Sequence, residues 1–174
     1  RVCRVRASGF RAWQVKRKRI STFDADRTLS KLIGVHDGMD SWPNHMAQCD
    51  LVIEAVFEEL EIKRSVFSEL EQHVSPEAIL ASNTSSLAIG DIASVLKHPQ
   101  RMVGIHFFNP VAVMPLVEVV KAHTSSDVAL ATAVSVVNKL RKTAIVTADT
   151  TGFVVNRLLA KLLGEAMHAV EMGT

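Results

Sequence analysis

Cysteine is scarce in this sequence. Cys3 and Cys49 are the only two, and they stand far apart. Two distant thiols without metal-type spacing argue against a disulfide framework and against a cysteine-built metal centre, and they fit a reducing compartment. Long apolar runs are also missing, and none reaches the length a bilayer crossing needs. No internal repeat and no low-complexity linker interrupts the chain. Acidic residues are absent from residues 1–20, which hold eight of the 20 Lys+Arg. The other 154 residues therefore carry 12 basic against 18 acidic groups, a net of −6 hidden under the formal +2.

The basic start, Arg1-Val2-Cys3-Arg4-Val5-Arg6 through Lys16-Arg17-Lys18-Arg19, has no helical or strand period. A nucleic-acid arm is one reading. A transit peptide is another, since those are Arg-rich and poor in acids. The favoured reading is a ragged, solvated end, because the rest of the chain offers no basic stripe. The first residue is Arg rather than Met, so the expectation is a fragment of a longer protein.

What is present is a hydrophobic content of 48%, enough for a real core. At 174 residues the chain has room for one ordinary domain, or for one domain and a piece of another. From Asp50 onward short β-branched runs alternate with helical periods. Buried strands are expected at residues 51–56, 78–81, 102–107, 116–120 and 144–147. Helices are expected at 58–74, 87–96, 127–140 and 152–172. Ser75-Pro76 stops the first of these. Strands alternating with helices predict βαβ units on a mainly parallel sheet, which places the chain in the α/β class.

His106 and Glu118 are the most informative pair. An imidazole ends one apolar run and a carboxylate lies inside the next. The Pro-bracketed loop between them can fold the second run back beside the first. Glu118 would then accept the hydrogen of one ring nitrogen in a hydrogen bond while the other nitrogen faces a substrate, the arrangement of a general base near neutral pH. The bland alternative is a structural histidine at a strand end.

Asn83-Thr84-Ser85-Ser86 lies between a strand and a helix. One of these residues is expected to cap the helix. The same turn falls at the carboxyl edge of the sheet, where ligands of open α/β sheets bind. Asn156 is unfavourable inside a helix, so it faces either solvent or a cleft. Glu58 and Lys63 read plainly as a solvated, acidic first helical turn.

Five blocks in order carry a resemblance. They are Val52-Ile53-Glu54-Ala55-Val56-Phe57-Glu58, Ala81-Ser82-Asn83-Thr84-Ser85-Ser86-Leu87, Gly104-Ile105-His106-Phe107-Phe108-Asn109-Pro110, Leu116-Val117-Glu118-Val119-Val120 and Gly152-Phe153-Val154-Val155-Asn156-Arg157. From Asp50 to Thr174 the chain resembles the L-3-hydroxyacyl-CoA dehydrogenase family of fatty-acid β-oxidation. The resemblance implies a Rossmann-like, mainly parallel sheet that lacks its first βα unit, followed by the first helix of an α-helical C-terminal domain. It implies three parts: a basic segment of poorly defined structure at 1–49, a partial NAD-binding domain at 50–150, and the start of the helical domain at 151–174. It implies His106 as base, Glu118 as its orienting carboxylate, and Ser85 and Asn156 as supporting polar groups. NAD contacts would fall on Glu58, Lys63, Ser85 and Asn109, and no metal is implied.

The expected partner is an acyl-CoA substrate, with no nucleic acid and no membrane span. The parent is expected to be a homo-oligomer or part of a multifunctional β-oxidation protein, in the cytoplasm or, in a eukaryote, the mitochondrial matrix. Val111-Ala112-Val113-Met114-Pro115 is similar to the multifunctional type, and Pro115, where many members carry Lys, has no assigned role. The family's G-x-G-x-x-G turn and the acidic residue about 20 positions beyond it are absent. Gly9, Gly34 and Gly38 make no such pattern. Two functions are therefore weighed: NAD-dependent oxidation of L-3-hydroxyacyl-CoA by an incomplete chain, or a non-catalytic remnant or structural relative.

Overall fold

A computed structural model describes residue 16 and residues 20–34 and 42–173. The basic start lies outside the described residues apart from Lys16 and Ile20. The chain divides into two compact units, residues 1–45 and 46–174, each considered by itself. In the first, Thr22–Leu29 forms helix α1. The apolar period here is too short to predict a helix, yet the start signal is present. Ser21 Oγ accepts the Asp24 N–H at 3.0 Å and donates to the Asp24 carboxylate at 2.7 Å. That satisfies an orphan amide of the first turn. Trp42–Ala47 forms a second short helix, α2.

The second unit is a five-stranded sheet in the order β1-β2-β3-β4-β5, where β1 is Leu51–Glu54, β2 Ile79–Ser82, β3 Met102–Phe107, β4 Leu116–Lys121 and β5 Thr143–Ala148. β1, β2 and β3 run parallel, β4 is antiparallel to β3, and β5 is parallel to β4. Leu60–His73 (α3), Ile89–Ala93 (α4), Asp127–Lys139 (α5) and Val155–Glu171 (α6) complete the unit. The mainly parallel α/β architecture is the one expected.

The period of two along each strand sorts side chains onto two faces. One face carries Leu80, Met102 and Val120, packed with Phe67, Ile89, Ile92 and Phe153. The other carries Ile79, Ala81, Val103, Ile105, Val117 and Val119. Against it lies α5 through Ala129, Ala133 and Val137, a stripe at i, i+4 and i+8. Gly104 sits where no side chain fits: a Cβ there would come within 2.7 Å of the Val120 Cβ and 2.9 Å of the Ile89 Cδ1. His106 and Glu118 follow the parity of Gly104 and Val120, so they share the face that holds Ile89 and Phe153.

Several boundaries differ from expectation for local reasons. β1 stops at Glu54 rather than 56, because the Glu54 carboxylate accepts the Val56 N–H and turns the chain. α6 begins at Val155 rather than 152 because Gly152 and Phe153 take φ values of +77° and +47°. Both lie in the left-handed region, which interrupts a right-handed helix.

Candidate active site at the carboxyl edge of the sheet

Because β1, β2 and β3 are parallel, their carboxyl ends deliver residues 55–59, 83–86 and 107–110 to one edge. The antiparallel return of β4 brings His106 directly opposite Glu118. Opposite residues in such a pair hold their side chains on the same face. The result is a bond of 2.8 Å between His106 Nδ1 and Glu118 Oε2. Both are buried, at 4% and 0% exposure. The imidazole packs beside the Phe108 and Phe153 rings, with centroids 4.5 and 5.7 Å away. With Nδ1 on the carboxylate, Nε2 is the nitrogen left for a ligand.

Glu118 does more than the sequence suggests. Its Oε1 accepts the backbone N–H groups of Val154 and Val155, each at 2.9 Å. A carboxylate on β4 therefore holds both the histidine and the start of α6. Asn156, one residue further, is half-buried, and its Nδ2 donates to the Ser85 carbonyl at 3.1 Å. So α6 is tied to the turn after β2 as well. His106, Glu118, Asn156 and Ser85 are thus linked pairwise through bonds and through α6.

The turn itself is built by distributed labour. Asn83 Oδ1 accepts the Phe107 N–H at 2.9 Å and joins β2 to β3. Thr84 Oγ1 accepts the Leu87 N–H at 2.9 Å and closes the turn. The helix cap expected from this stretch comes instead from Asp149, 60 residues along the chain. Its two carboxylate oxygens accept the Ile89 N–H at 2.7 Å and the Gly90 N–H at 2.8 Å. Neither α4 nor its start is capped by residues 83–86.

Glu58 lies above this turn. Its Oε1 accepts from Thr84 Oγ1 at 2.6 Å, from the Ser85 N–H at 2.8 Å, and from the N–H and hydroxyl of Ser86. Burial pushes its carboxyl up, but the Thr84 and Ser85 bonds and the Lys63 charge together hold it below the usual value. Lys63 is not on a solvated face. It is fully buried, with Nζ 2.8 Å from Glu54 Oε1 and 3.3 Å from Glu58 Oε2. A cation in the first turn of a helix opposes the macrodipole, so two carboxylates offset it. Glu54 also accepts from the Ser82 hydroxyl at 2.6 Å. Neither Glu54 nor Asp149 was singled out from sequence. Glu54 sits inside an apolar strand run, and a carboxylate there with a lysine nine positions on was the available signal.

Asn109 is exposed at the head of the loop after β3. The far end of that loop is held by Lys142, whose Nζ donates to the carbonyls of Val111 and Met114. Among the described residues no group of three His, Cys, Asp or Glu could hold a metal ion, and no helix is long and apolar enough to cross a membrane.

Comparison with known proteins identifies the frame. The family model described as 3-hydroxyacyl-CoA dehydrogenase, NAD binding domain, matches residues 4–150. FadB2 from M. tuberculosis is 38% identical with a TM-score of 0.85, over 98% of this chain and 59% of that one. The 3-hydroxybutyryl-CoA dehydrogenase from Escherichia coli K12 is 36% identical with a TM-score of 0.88, over 95% of this chain and 35% of that one. The (S)-3-hydroxybutyryl-CoA dehydrogenase PaaH1 from Ralstonia eutropha is 32% identical with a TM-score of 0.88, over 96% of this chain and 57% of that one. The chain thus spans less than two thirds of the length of these relatives. It belongs to the 3-hydroxyacyl-CoA dehydrogenase family, whose NAD-binding domain it carries.

Proposed function

We propose that these residues serve the NAD-dependent oxidation of an L-3-hydroxyacyl-CoA to the 3-oxoacyl-CoA in fatty-acid β-oxidation. The observation that carries this reading is the buried His106–Glu118 pair at the carboxyl edge, with one ring nitrogen engaged and the other available. His106 Nε2 takes the proton of the 3-hydroxyl. Glu118 holds the ring through Nδ1 and stabilises the imidazolium that forms. Asn156, whose amide has a second N–H beyond the one given to Ser85, and the Ser85 hydroxyl hold the oxygen as it becomes a carbonyl. NAD, when bound, accepts the hydride from C3.

The residues present fit the nicotinamide side of such a cofactor. The exposed Glu58, Ser85 and Asn109 put a carboxylate, a hydroxyl and an amide along one edge of the sheet. Lys63 lies beneath Glu58, so its part is to fix that carboxylate rather than to touch the ligand. Two of the solved relatives are named for 3-hydroxybutyryl-CoA, which favours a short acyl chain here.

Steady-state kinetics on a full-length protein carrying these residues tests the reading. His106→Gln is expected to lower kcat by about 10²–10⁴-fold while leaving the fold intact. A variant that keeps wild-type kcat would remove the assignment. The second reading, a non-catalytic relative, is favoured by one observation: no G-x-G-x-x-G occurs among the eight glycines. That pattern lets the backbone approach a pyrophosphate at a helix N-terminus. Turnover by the full-length protein separates the two.

A further inference from the structure

Glu118 is fully buried and both of its oxygens are spoken for. Oε2 faces His106 Nδ1, and Oε1 takes two peptide N–H groups, those of Val154 and Val155. An oxygen of a carboxylate has two lone pairs, so Oε1 is filled by that pair of donors. The carboxylate is then fixed in its plane, and Oε2 alone is offered to the imidazole. An acceptor-only group at Oε2 requires the hydrogen on Nδ1 and leaves Nε2 bare. The two amides exist in this position only because the chain enters α6 through Gly152 and Phe153 at positive φ, with the Phe153 ring buried beside His106. Asn156, on the same first turn, is tied to Ser85.

We propose that the backbone amides of Val154 and Val155 are positioning groups of the site: by holding Glu118 Oε1 they assign the tautomer and orientation of His106, so that seating of the α6 N-terminus and readiness of the base are one event. This rests on the reading of His106 as base, but its central claim concerns only tautomer and hydrogen bonding. A helix start that leaves Glu118 frees Oε1, lets the carboxylate turn, and releases the ring. The linkage is reciprocal: whatever loosens His106 from Glu118 loosens the α6 start by the same factor.

Glu118→Gln forces a choice that decides the matter. The amide has one carbonyl and one NH2. If two peptide donors outweigh one imidazole, the carbonyl stays on Val154 and Val155. The NH2 then faces Nδ1, which must become an acceptor. Nitrogen-15 NMR of the 174-residue chain is expected to show His106 moving from the Nδ1–H to the Nε2–H tautomer. The Val154 and Val155 amides should keep their hydrogen-exchange protection within about threefold. Retention of the Nδ1–H tautomer together with lost protection of those amides would overturn the proposal, because helix and base would then be independent. Should the variant fail to fold, the wild-type chain gives the same decision. The His106 Nδ1 proton and the two amide protons are expected to share one opening equilibrium. Equilibria differing more than tenfold would overturn it. Absence of turnover in the full-length protein would sink the catalytic reading and leave these measurements standing.

Discussion

At the scale of single residues, the site is governed by where charge is buried and what offsets it. Lys63 and Glu54 each have side chains 1% exposed, and they face each other. Removing the cation strands a carboxylate in the core. Lys63→Met should therefore cost about 3–5 kcal/mol of stability, the usual range for breaking a buried pair from one side. Glu54→Gln added to it should recover part of that loss, since the amide oxygen can keep the Val56 N–H at the Oε1 position while the NH2 at the Oε2 position donates to the Ser82 hydroxyl. Denaturant unfolding of the single and double variants measures both, and equal loss in the two would show that the charge pair is not the cause. Glu58 governs the pH response of the same cluster. Burial pushes its carboxyl up, but the bonds from Thr84 and Ser85 and the Lys63 charge outweigh it and hold it below the usual carboxylate value. A depressed carboxyl contributes stability that is present above the unfolded value and lost as pH falls through the folded one. Glu71 behaves in the same sense. Burial raises it, but the Lys97 and His98 N–H groups and then Arg101 hold it down. Thermal stability should thus fall below about pH 4.5. Glu58→Gln should flatten that decline without abolishing it, and a slope identical to wild type would show that the Glu58 cluster contributes nothing.

At the scale of elements, the site depends on helix ends being satisfied by side chains from elsewhere. α4 is only five residues long and has no side-chain cap of its own. Asp149, just past β5, accepts the Ile89 and Gly90 N–H groups and pins α4 over the face that carries His106. Asp149→Ala should cost about 0.5–2 kcal/mol, the range for a lost cap. Asp149→Asn should cost less, since one amide oxygen still accepts. Hydrogen exchange at Ile89 and Gly90 should rise in the alanine variant before the rest of the sheet is affected. Uniform exchange across the sheet would show that α4 has no separate dependence on Asp149. α6 shows the same logic with Glu118 in place of Asp149, and there the satisfying group is also part of the proposed site.

At the scale of the whole molecule, the parts legible in the sequence were those set by period and nearby spacing. The five strands and the helices over residues 60–73, 127–139 and 155–171 follow from apolar runs with a clear period. The His106–Glu118 pairing follows from two runs joined by a loop that folds back. What escaped was set by contacts distant in sequence or by partners that reverse a residue's usual behaviour. Asp149 caps a helix 60 residues before it, Lys63 is buried because two carboxylates meet it, and Glu118 takes two amides from a segment 36 and 37 residues on. The sheet face and the outer helix also differ in how well they are covered. α6 has no buried residue in its length, and Leu158, Leu162, Met167 and Val170 stand 65–75% exposed on it. β1 pairs only with β2 among the described residues, and Phe57 just beyond it is 79% exposed. An apolar helical stripe and an open strand edge are both surfaces that water disfavours and that other chains can cover. The 174-residue chain by itself should therefore associate as its concentration rises. Leu158→Glu with Leu162→Glu should reduce that association while leaving the circular dichroism of the sheet unchanged, because neither side chain is buried in the sheet core. Sedimentation velocity over a concentration series reads the outcome. A chain that stays monomeric throughout would mean that the α6 stripe is covered from within the same molecule, and the double variant would then lower the melting temperature instead.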